Sequence, residues 1–227
     1  MTKEEIVAKA NSLRWYHSIE LLPGYFTTNY CPGIKLWEMI RSIRKYINYS
    51  GKSVIDLGTC DGAWGFEAEG LGATEIVGID TWINQPGIME QARWAAGIKK
   101  SRMEFRHIDV HQVADLTAPK QFDVIQNLGL LYHVEDPMRV MRQLRKICAK
   151  DGVMLLETAY WHNNNPAPMM RSNGDGGVYS GDPWTIWAPN PACLAWMLHA
   201  TGWGPAQHTA TLDISTINRC CWLVKAI

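Results

Sequence analysis

This 227-residue chain predicts an α/β fold, a mostly parallel sheet covered by helices on both faces. Three observations carry that prediction. Short apolar strands alternate with helical stretches from residue 51 onward. The first of these strands runs into a glycine-containing turn, Val54-Ile55-Asp56-Leu57-Gly58-Thr59-Cys60-Asp61-Gly62. The next strand, Glu75-Ile76-Val77-Gly78-Ile79-Asp80, ends in an acid.

In chain order, residues 3–14 read as a short amphipathic helix, and a loop rich in Gly, Pro and aromatics runs from Trp15 to Gly33. Residues 34–48 set Leu36, Trp37, Ile40, Ile43 and Ile47 on one helical face, with Arg41, Arg44 and Lys45 mostly off it. Strand 53–57 leads through the turn to a helix ending near Gly70, and strand 75–80 follows. A helix over 86–98, strands over 103–108 and 122–127, a helix over 136–149 and a strand over 152–160 continue the alternation. The helix over 136–149 places Val140, Met141, Leu144, Ile147 and Cys148 at core spacing, and Arg139, Arg142, Arg145 and Lys146 on a solvated face. Residues 161–190 break the rhythm with Asn, Pro, Gly and Trp. A helix over 190–201 and strands near 206–214 and 218–226 close the chain. One domain over 1–227 is the economical division: a helical and aromatic cap (1–50), a core (51–160), an insertion (161–190), and a closing helix with strands (191–227).

Composition excludes several function classes. Lys+Arg and Asp+Glu both number 22, which argues against a protein that grips nucleic acid by a global basic field. Apolar residues make up 47% of the chain, enough for a packed core. No run approaches the roughly 18 apolar residues that span a bilayer. The polar start Met1-Thr2-Lys3-Glu4-Glu5 lacks the apolar stretch of a secretory signal, so a cytoplasmic protein with no membrane partner is expected. The six cysteines form no CxxC pair and have no His at metal spacing, so free thiols and no metal site are expected. Eleven Trp against four Phe mark amphipathic aromatic surface, with Trp37 and Trp196 read as core.

The turn carries the chemistry. Glycines at the end of a strand let a ligand approach the backbone, at the place where doubly wound sheets bind nucleotides. Asp80, at the tip of the next strand, is where a carboxylate can accept both hydroxyls of a ribose. A dinucleotide site would show GxGxxG, because its pyrophosphate sits on a helix N-terminus, and that pattern is missing. Asp56 ahead of the turn would repel phosphate but attract a sulfonium or an amino group. The sign of charge favours S-adenosylmethionine over NAD, with an ordinary tight turn as the bland alternative.

Residues 56–62 and Gly78-Ile79-Asp80 resemble the first two motifs of class I S-adenosylmethionine-dependent methyltransferases. Trp15-Tyr16-His17-Ser18-Ile19-Glu20-Leu21, Asn127-Leu128-Gly129-Leu130-Leu131-Tyr132-His133, Val153-Met154-Leu155-Leu156-Glu157-Thr158 and Asn218-Arg219-Cys220-Cys221-Trp222 narrow the likeness. It is to the branch of the tRNA wobble-uridine carboxymethyl/methyltransferases and their small relatives. The resemblance runs over roughly residues 13–226. It implies a Rossmann-like, seven-stranded, mostly parallel sheet, S-adenosyl-L-methionine as cofactor and S-adenosyl-L-homocysteine as product.

The resemblance also implies roles. Asp56, Gly58, Thr59, Cys60 and Gly62 form the turn against the methionine part, and Asp80 binds the ribose. Thr81 and Trp82 border the adenosine, and Asp109-Val110 meet the adenine. Leu128 faces the methionine portion through its backbone. Tyr132 approaches the transferred group, and Arg219 lies near the carboxylate-bearing end. Cys60 departs from the commoner Gly-x-Gly, so the backbone there must take a small side chain. The carboxymethylating enzymes carry a lysine shortly after a tryptophan, whereas this chain reads Trp15-Tyr16-His17 and offers only Lys35, after Tyr30, as a loose match. A missing cation there removes a charge-assisted contact worth about 2 kcal/mol, which favours plain methyl transfer over carboxy-S-adenosylmethionine.

For an oxygen or nitrogen acceptor, His133 is the first candidate base, His17 the second and Glu157 the third; His133 could instead cap the helix near Asp136. The insertion, with Tyr179, Trp184, Trp187 and the run Gly174-Asp175-Gly176-Gly177, has the length of a lid, or alternatively of a packing flap or dimer contact. Trp15, Tyr30, Lys35, Tyr179, Trp184 and Trp187 are the expected substrate contacts. Three functions compete. Methylation of a small molecule leads. A tRNA wobble-uridine enzyme stands second, kept alive by the patch Arg41, Arg44, Lys45 and Lys52. A non-catalytic binding protein with a degenerate methyltransferase fold is third, and a homodimer is compatible with all three.

Overall fold

The computed structural model describes the chain apart from residues 32, 83–86, 118–119, 164, 173–183 and 215–216. A cap comes first: α1 (Lys3–Ser12), the short hairpin β1 (Glu20–Leu22) and β2 (Tyr25–Phe26), and α2 (Ile34–Arg44). The alternating core follows as β3 (Ser53–Leu57), α3 (Ala63–Gly70), β4 (Glu75–Asp80), α4 (Ile88–Lys99), β5 (Glu104–His107), α5 (Val113–Thr117) and β6 (Phe122–Leu128). Then come α6 (Pro137–Ile147), β7 (Cys148–Ala159), the strand pair β8 (Met170–Ser172) and β9 (Trp187–Pro189), α7 (Pro191–Ala200), β10 (Trp203–Ile214) and β11 (Ile217–Ala226).

Seven strands form one sheet in the order β10-β11-β7-β6-β3-β4-β5. β7, β6, β3, β4 and β5 run parallel, and β11 is antiparallel to both β7 and β10. The predicted seven-stranded, mostly parallel sheet is therefore present. The chain lays β4 and β5 on one side of β3 and then returns to add β6 on the other. That reversal makes the end of β3 the topological switch point, where open α/β sheets bind ligands. Because β11 is antiparallel to β7, its first residues lie beside the last residues of β7, with Arg219 opposite Ala159. Arg219 thus lies at the edge of the sheet where β7 ends.

The central strands are apolar runs because both faces are covered. On one face Ile55, Leu57, Ile125, Met154 and Leu156 meet Val140, Met141, Leu144 and Ile147 of α6 and Leu194 and Leu198 of α7. On the other, Trp37, Ile40 and Ile43 of α2 pack with Leu155, Cys221 and Leu223. Asp136 caps α6 by accepting from the Arg139 N–H, and Asn190 caps α7 through Cys193, so the capping role open to His133 belongs to Asp136. None of the described helices is long and apolar enough to cross a membrane.

Some sequence expectations need correction. Trp196 is 53% exposed rather than core. Trp15 is 1% exposed, and its indole N–H donates to the Ala10 carbonyl at the end of α1, so it is a packing residue and not a substrate surface. Arg44 is buried at 2% exposure, although the periodicity puts it mostly off the apolar face of α2. Its guanidinium donates to Glu67, to the Trp64 carbonyl and to the Tyr49 hydroxyl. A charged side chain on an apolar face is tolerable only when it is paired and hydrogen-bonded in this way.

Candidate active site

The turn after β3 is shaped by backbone conformations that few residues accept. Gly58 has φ +62° and Gly62 φ +84°, and a Cβ on Gly62 would stand 2.9 Å from the Phe105 ring. Between them Cys60 also lies in the left-handed region, at φ 52°, as does Trp82 at φ 48°. A side chain in that conformation is held there by its surroundings. Asp80 does the holding: its carboxylate accepts from the Cys60 N–H at 3.0 Å and the Trp82 N–H at 2.8 Å. The Trp82 indole N–H closes the loop by donating to the Cys60 carbonyl at 3.0 Å. Each Asp80 oxygen retains a lone pair for a further donor, which is the chemistry a diol requires. Thr81, beside it, is partly exposed, and the Trp82 ring packs into the cluster around α4, 8% exposed.

Asp56 does not face open ligand space. It is 1% exposed and accepts from the Thr59 hydroxyl at 2.6 Å and the Gln126 amide at 3.2 Å. Gln126 in turn accepts from the Tyr49 hydroxyl, which accepts from Arg44, so a buried chain links α2 to the turn. Burial pushes the Asp56 carboxyl up to about 6, against the pull of the Thr59 and Gln126 hydrogen bonds and the Arg44 and His17 charges.

Asp61 ties the cap to the turn. Wholly buried, it accepts from the backbone N–H groups of Tyr16 and His17, at 3.0 and 2.8 Å, and from His17 Nδ1 at 2.7 Å. Burial alone would raise its carboxyl, but the His17 ring and the surrounding N–H groups hold it below the ordinary value. His17 sits among the rings of Tyr16, Trp37 and Trp64. The Tyr16 ring meets Tyr30 edge-on at 5.6 Å, and burial raises its phenol far above its ordinary value.

At the ends of β6 and β7 stands a second group. Glu157 and Arg219, 1% and 6% exposed, form a two-pronged ion pair with both contacts at 2.6 Å. Arg219 also lies over the Tyr132 ring at 4.3 Å, and Tyr132 packs against His133 at 4.0 Å. Gly129 leaves room between them, since a Cβ there would be 3.7–3.8 Å from the Tyr132 hydroxyl, Arg219 and Glu157. His133 Nδ1 lies 2.7 Å from the Trp184 carbonyl, which can only accept, so Nδ1 carries the proton and Nε2 is the basic nitrogen. His133 therefore anchors the end of the insertion. Trp184 is 57% exposed, and Trp187 stands beside Tyr132, Thr158 and Met197 around a small cavity. Tyr179 and the Gly174–Gly177 run lie outside the described residues.

The remaining candidates are dispersed. Asp109 caps the turn of helix at Val110–Gln112 by accepting from His111, and Val110 is buried beneath it. Leu128 is buried against the α2 face. Lys35 is exposed on α2 and Tyr30 is 42% exposed. Glu157 is engaged by Arg219 and offers no open carboxylate for base chemistry. Asp61, Tyr16 and Gln126 were missed as site residues by sequence reasoning. Asp61 sits in the turn motif itself and Tyr16 in the Trp-Tyr-His motif, so both motifs held a signal, whereas nothing in the sequence points to Gln126. The cations at Arg41, Arg44 and Lys52 do not form a free basic patch, because Glu67 pairs with both arginines and Asp123 with Lys52.

A family model described as a methyltransferase domain matches residues 37–222. The chain is 29% identical over 120 residues to a tRNA U34 carboxymethyltransferase of Campylobacter hominis, covering 52% of this chain and 40% of that protein. It is 31% identical over 119 residues to a ubiquinone biosynthesis O-methyltransferase of Pseudomonas syringae pv. tomato, covering 52% and 48%. The chain thus matches less than half the length of either relative. Its fold resembles the N-terminal domain of EvdMO1, solved with SAH bound, with a TM-score of 0.69, 19% identity and coverage of 100% and 97%.

Proposed function

This chain belongs to the methyltransferase domain family, and from that premise we propose that it transfers the methyl group of S-adenosyl-L-methionine to an oxygen or nitrogen of a small-molecule acceptor. The observation that carries the reading is one edge of the sheet: β3, β6 and β7 run parallel, so the Asp80-braced turn after β3 lies at the same edge as the Tyr132–His133 pair after β6 and the Glu157–Arg219 pair near the end of β7. The cofactor supplies a methyl group activated on a sulfonium. The residues present fit it: Gly58 and Gly62 keep the backbone open, and Asp80 offers two acceptor oxygens beside the partly exposed Thr81. The chain's own work is to align an acceptor and exclude water, toward which the buried Tyr132 ring and the contact of His133 with the Trp184 carbonyl contribute. His133 Nε2 takes the proton of the acceptor.

Plain methyl transfer is favoured over carboxymethyl transfer by the Arg219–Glu157 pair. A carboxylate arriving beside Tyr132 would find the guanidinium already neutralised by a buried partner. The tRNA relative supports a second reading, modification of a wobble uridine, which the paired state of Arg41, Arg44 and Lys52 disfavours.

Calorimetry with S-adenosyl-L-methionine is the first test. Wild-type chain should bind, and Asp80→Ala should bind tenfold or more weakly, which is about 1.4 kcal/mol. Absence of binding to the wild type would refute methyl transfer. Mass spectrometry after incubation with metabolite extracts or bulk tRNA then separates the two acceptor classes by which one gains 14 mass units, on the order of one methyl for hydrogen.

A further inference from the structure

The return limb of the insertion is fastened to the body of the fold at three points. His133 Nδ1 lies 2.7 Å from the Trp184 carbonyl, and the Ile186 N–H donates to the Tyr132 carbonyl at 2.8 Å. Farther on, the Pro189 carbonyl accepts from the N–H of Trp161, just beyond β7, at 2.9 Å. Between Ile186 and Pro189 the limb presents Trp187 to a cavity of about 10 Å³, lined also by Leu131, Tyr132, Thr158, Met170 and Met197.

Two polar atoms stand out against this apolar lining. Thr158 Oγ1 on β7 and Trp187 Nε1 on β9 are both buried, and neither has a hydrogen-bond partner among the described residues. Each is costly to leave unpaired, and both belong to residues on the same cavity. The indole N–H only donates, whereas the hydroxyl both donates and accepts. A ligand between them must accept from Trp187 and exchange a hydrogen bond with Thr158. It must also be uncharged, since Leu131, Met170 and Met197 offer no counter-charge. About 10 Å³ is the space that one water needs, and it is too small for a substrate group.

We propose that one water is bound in this cavity as a constant part of the fold, accepting from Trp187 Nε1–H and donating to Thr158 Oγ1. It is the fourth fastening of the limb, placed where no direct bond joins Trp187 to β7. Tyr132 lines the same cavity, and its carbonyl holds Ile186. The limb from Trp184 to Pro189 is therefore a fixed wall behind the Tyr132 ring rather than a swinging lid, and Thr158 and Trp187 are positioning residues for that wall. This holds whatever group the chain transfers.

A high-resolution crystal structure of the full wild-type chain is the direct experiment. It should show one ordered solvent peak within hydrogen-bond distance, about 2.7–3.2 Å, of both Thr158 Oγ1 and Trp187 Nε1. No peak, a peak bonded to one atom alone, or a direct Thr158–Trp187 hydrogen bond would overturn the proposal. Melting curves give an independent sign. Thr158→Val keeps the shape of the side chain but strands the water and the indole N–H, so Tm should fall by about 2–4 °C. Were the two atoms simply unpaired, deleting a buried hydroxyl would leave Tm unchanged or raise it, and that result overturns the proposal as well. Thr158→Ser retains the hydroxyl and should retain the solvent peak, which separates loss of the water from loss of packing. Trp187→Phe added to Thr158→Val should cost less than the two single changes together, because either one already breaks the bridge. Additive losses would show that no water joins the two residues.

Discussion

Asp61 and His17 lie 2.7 Å apart, with Asp61 also accepting the His17 backbone N–H at 2.8 Å. One carboxylate thereby fastens the cap to the turn after β3, and it does so with no exposure to water. Asp61→Ala should destabilise the fold by about 3 kcal/mol, because two backbone N–H groups and a ring N–H lose a buried acceptor together. Urea unfolding measures this. A loss under about 1 kcal/mol would mean that the cap is held by its aromatic packing alone.

Asp56 carries a pH signature. Its buried carboxyl titrates near 6, above the ordinary value of 3.8, so the folded chain binds a proton there that the unfolded chain has already released. The stability of wild type relative to Asp56→Asn should therefore fall as pH rises from about 4 to 6, by up to about 3 kcal/mol, and be flat above that window. Unfolding curves across that range, compared between the two proteins, check both the sign and the window.

The Glu157–Arg219 pair is a test of coupling. Glu157→Gln strands a buried guanidinium and should cost about 3–5 kcal/mol, whereas removing both charges should cost less than the two single changes added together. A double-mutant cycle on unfolding free energies gives the interaction directly. Additive losses would show that the pair is not a unit.

His133 separates base from anchor. His133→Ala should lower kcat on the order of 100-fold or more and leave cofactor affinity unchanged. His133→Gln keeps a donor for the Trp184 carbonyl and should not restore turnover. Restoration by Gln would assign the residue to holding the insertion.

The alternating core was legible because its signals are local. Period, glycine and cap residues act within a few positions, and the elements from β3 to β7 lie within a few residues of where the apolar pattern puts them, apart from α5 and the four residues by which β7 begins early. The turn with Asp80 was legible for the same reason. The local signal failed at Trp15, Trp196 and Arg44. An indole or a guanidinium reads alike in sequence whether it is covered by another element or not, and its burial is settled by what packs on it.

The sequence by itself determined the fold class, the parallel strands and the glycine-containing turn after β3, since these follow from chain-local periodicity and backbone preference. Only the tertiary structure decided that Asp56 faces Gln126 and Thr59, that Glu157 neutralises Arg219, and that Glu67 pairs with Arg41 and Arg44 and Asp123 with Lys52. Charge pairing depends on distances between segments far apart in the chain, and at a few ångströms it outweighs any count of net charge.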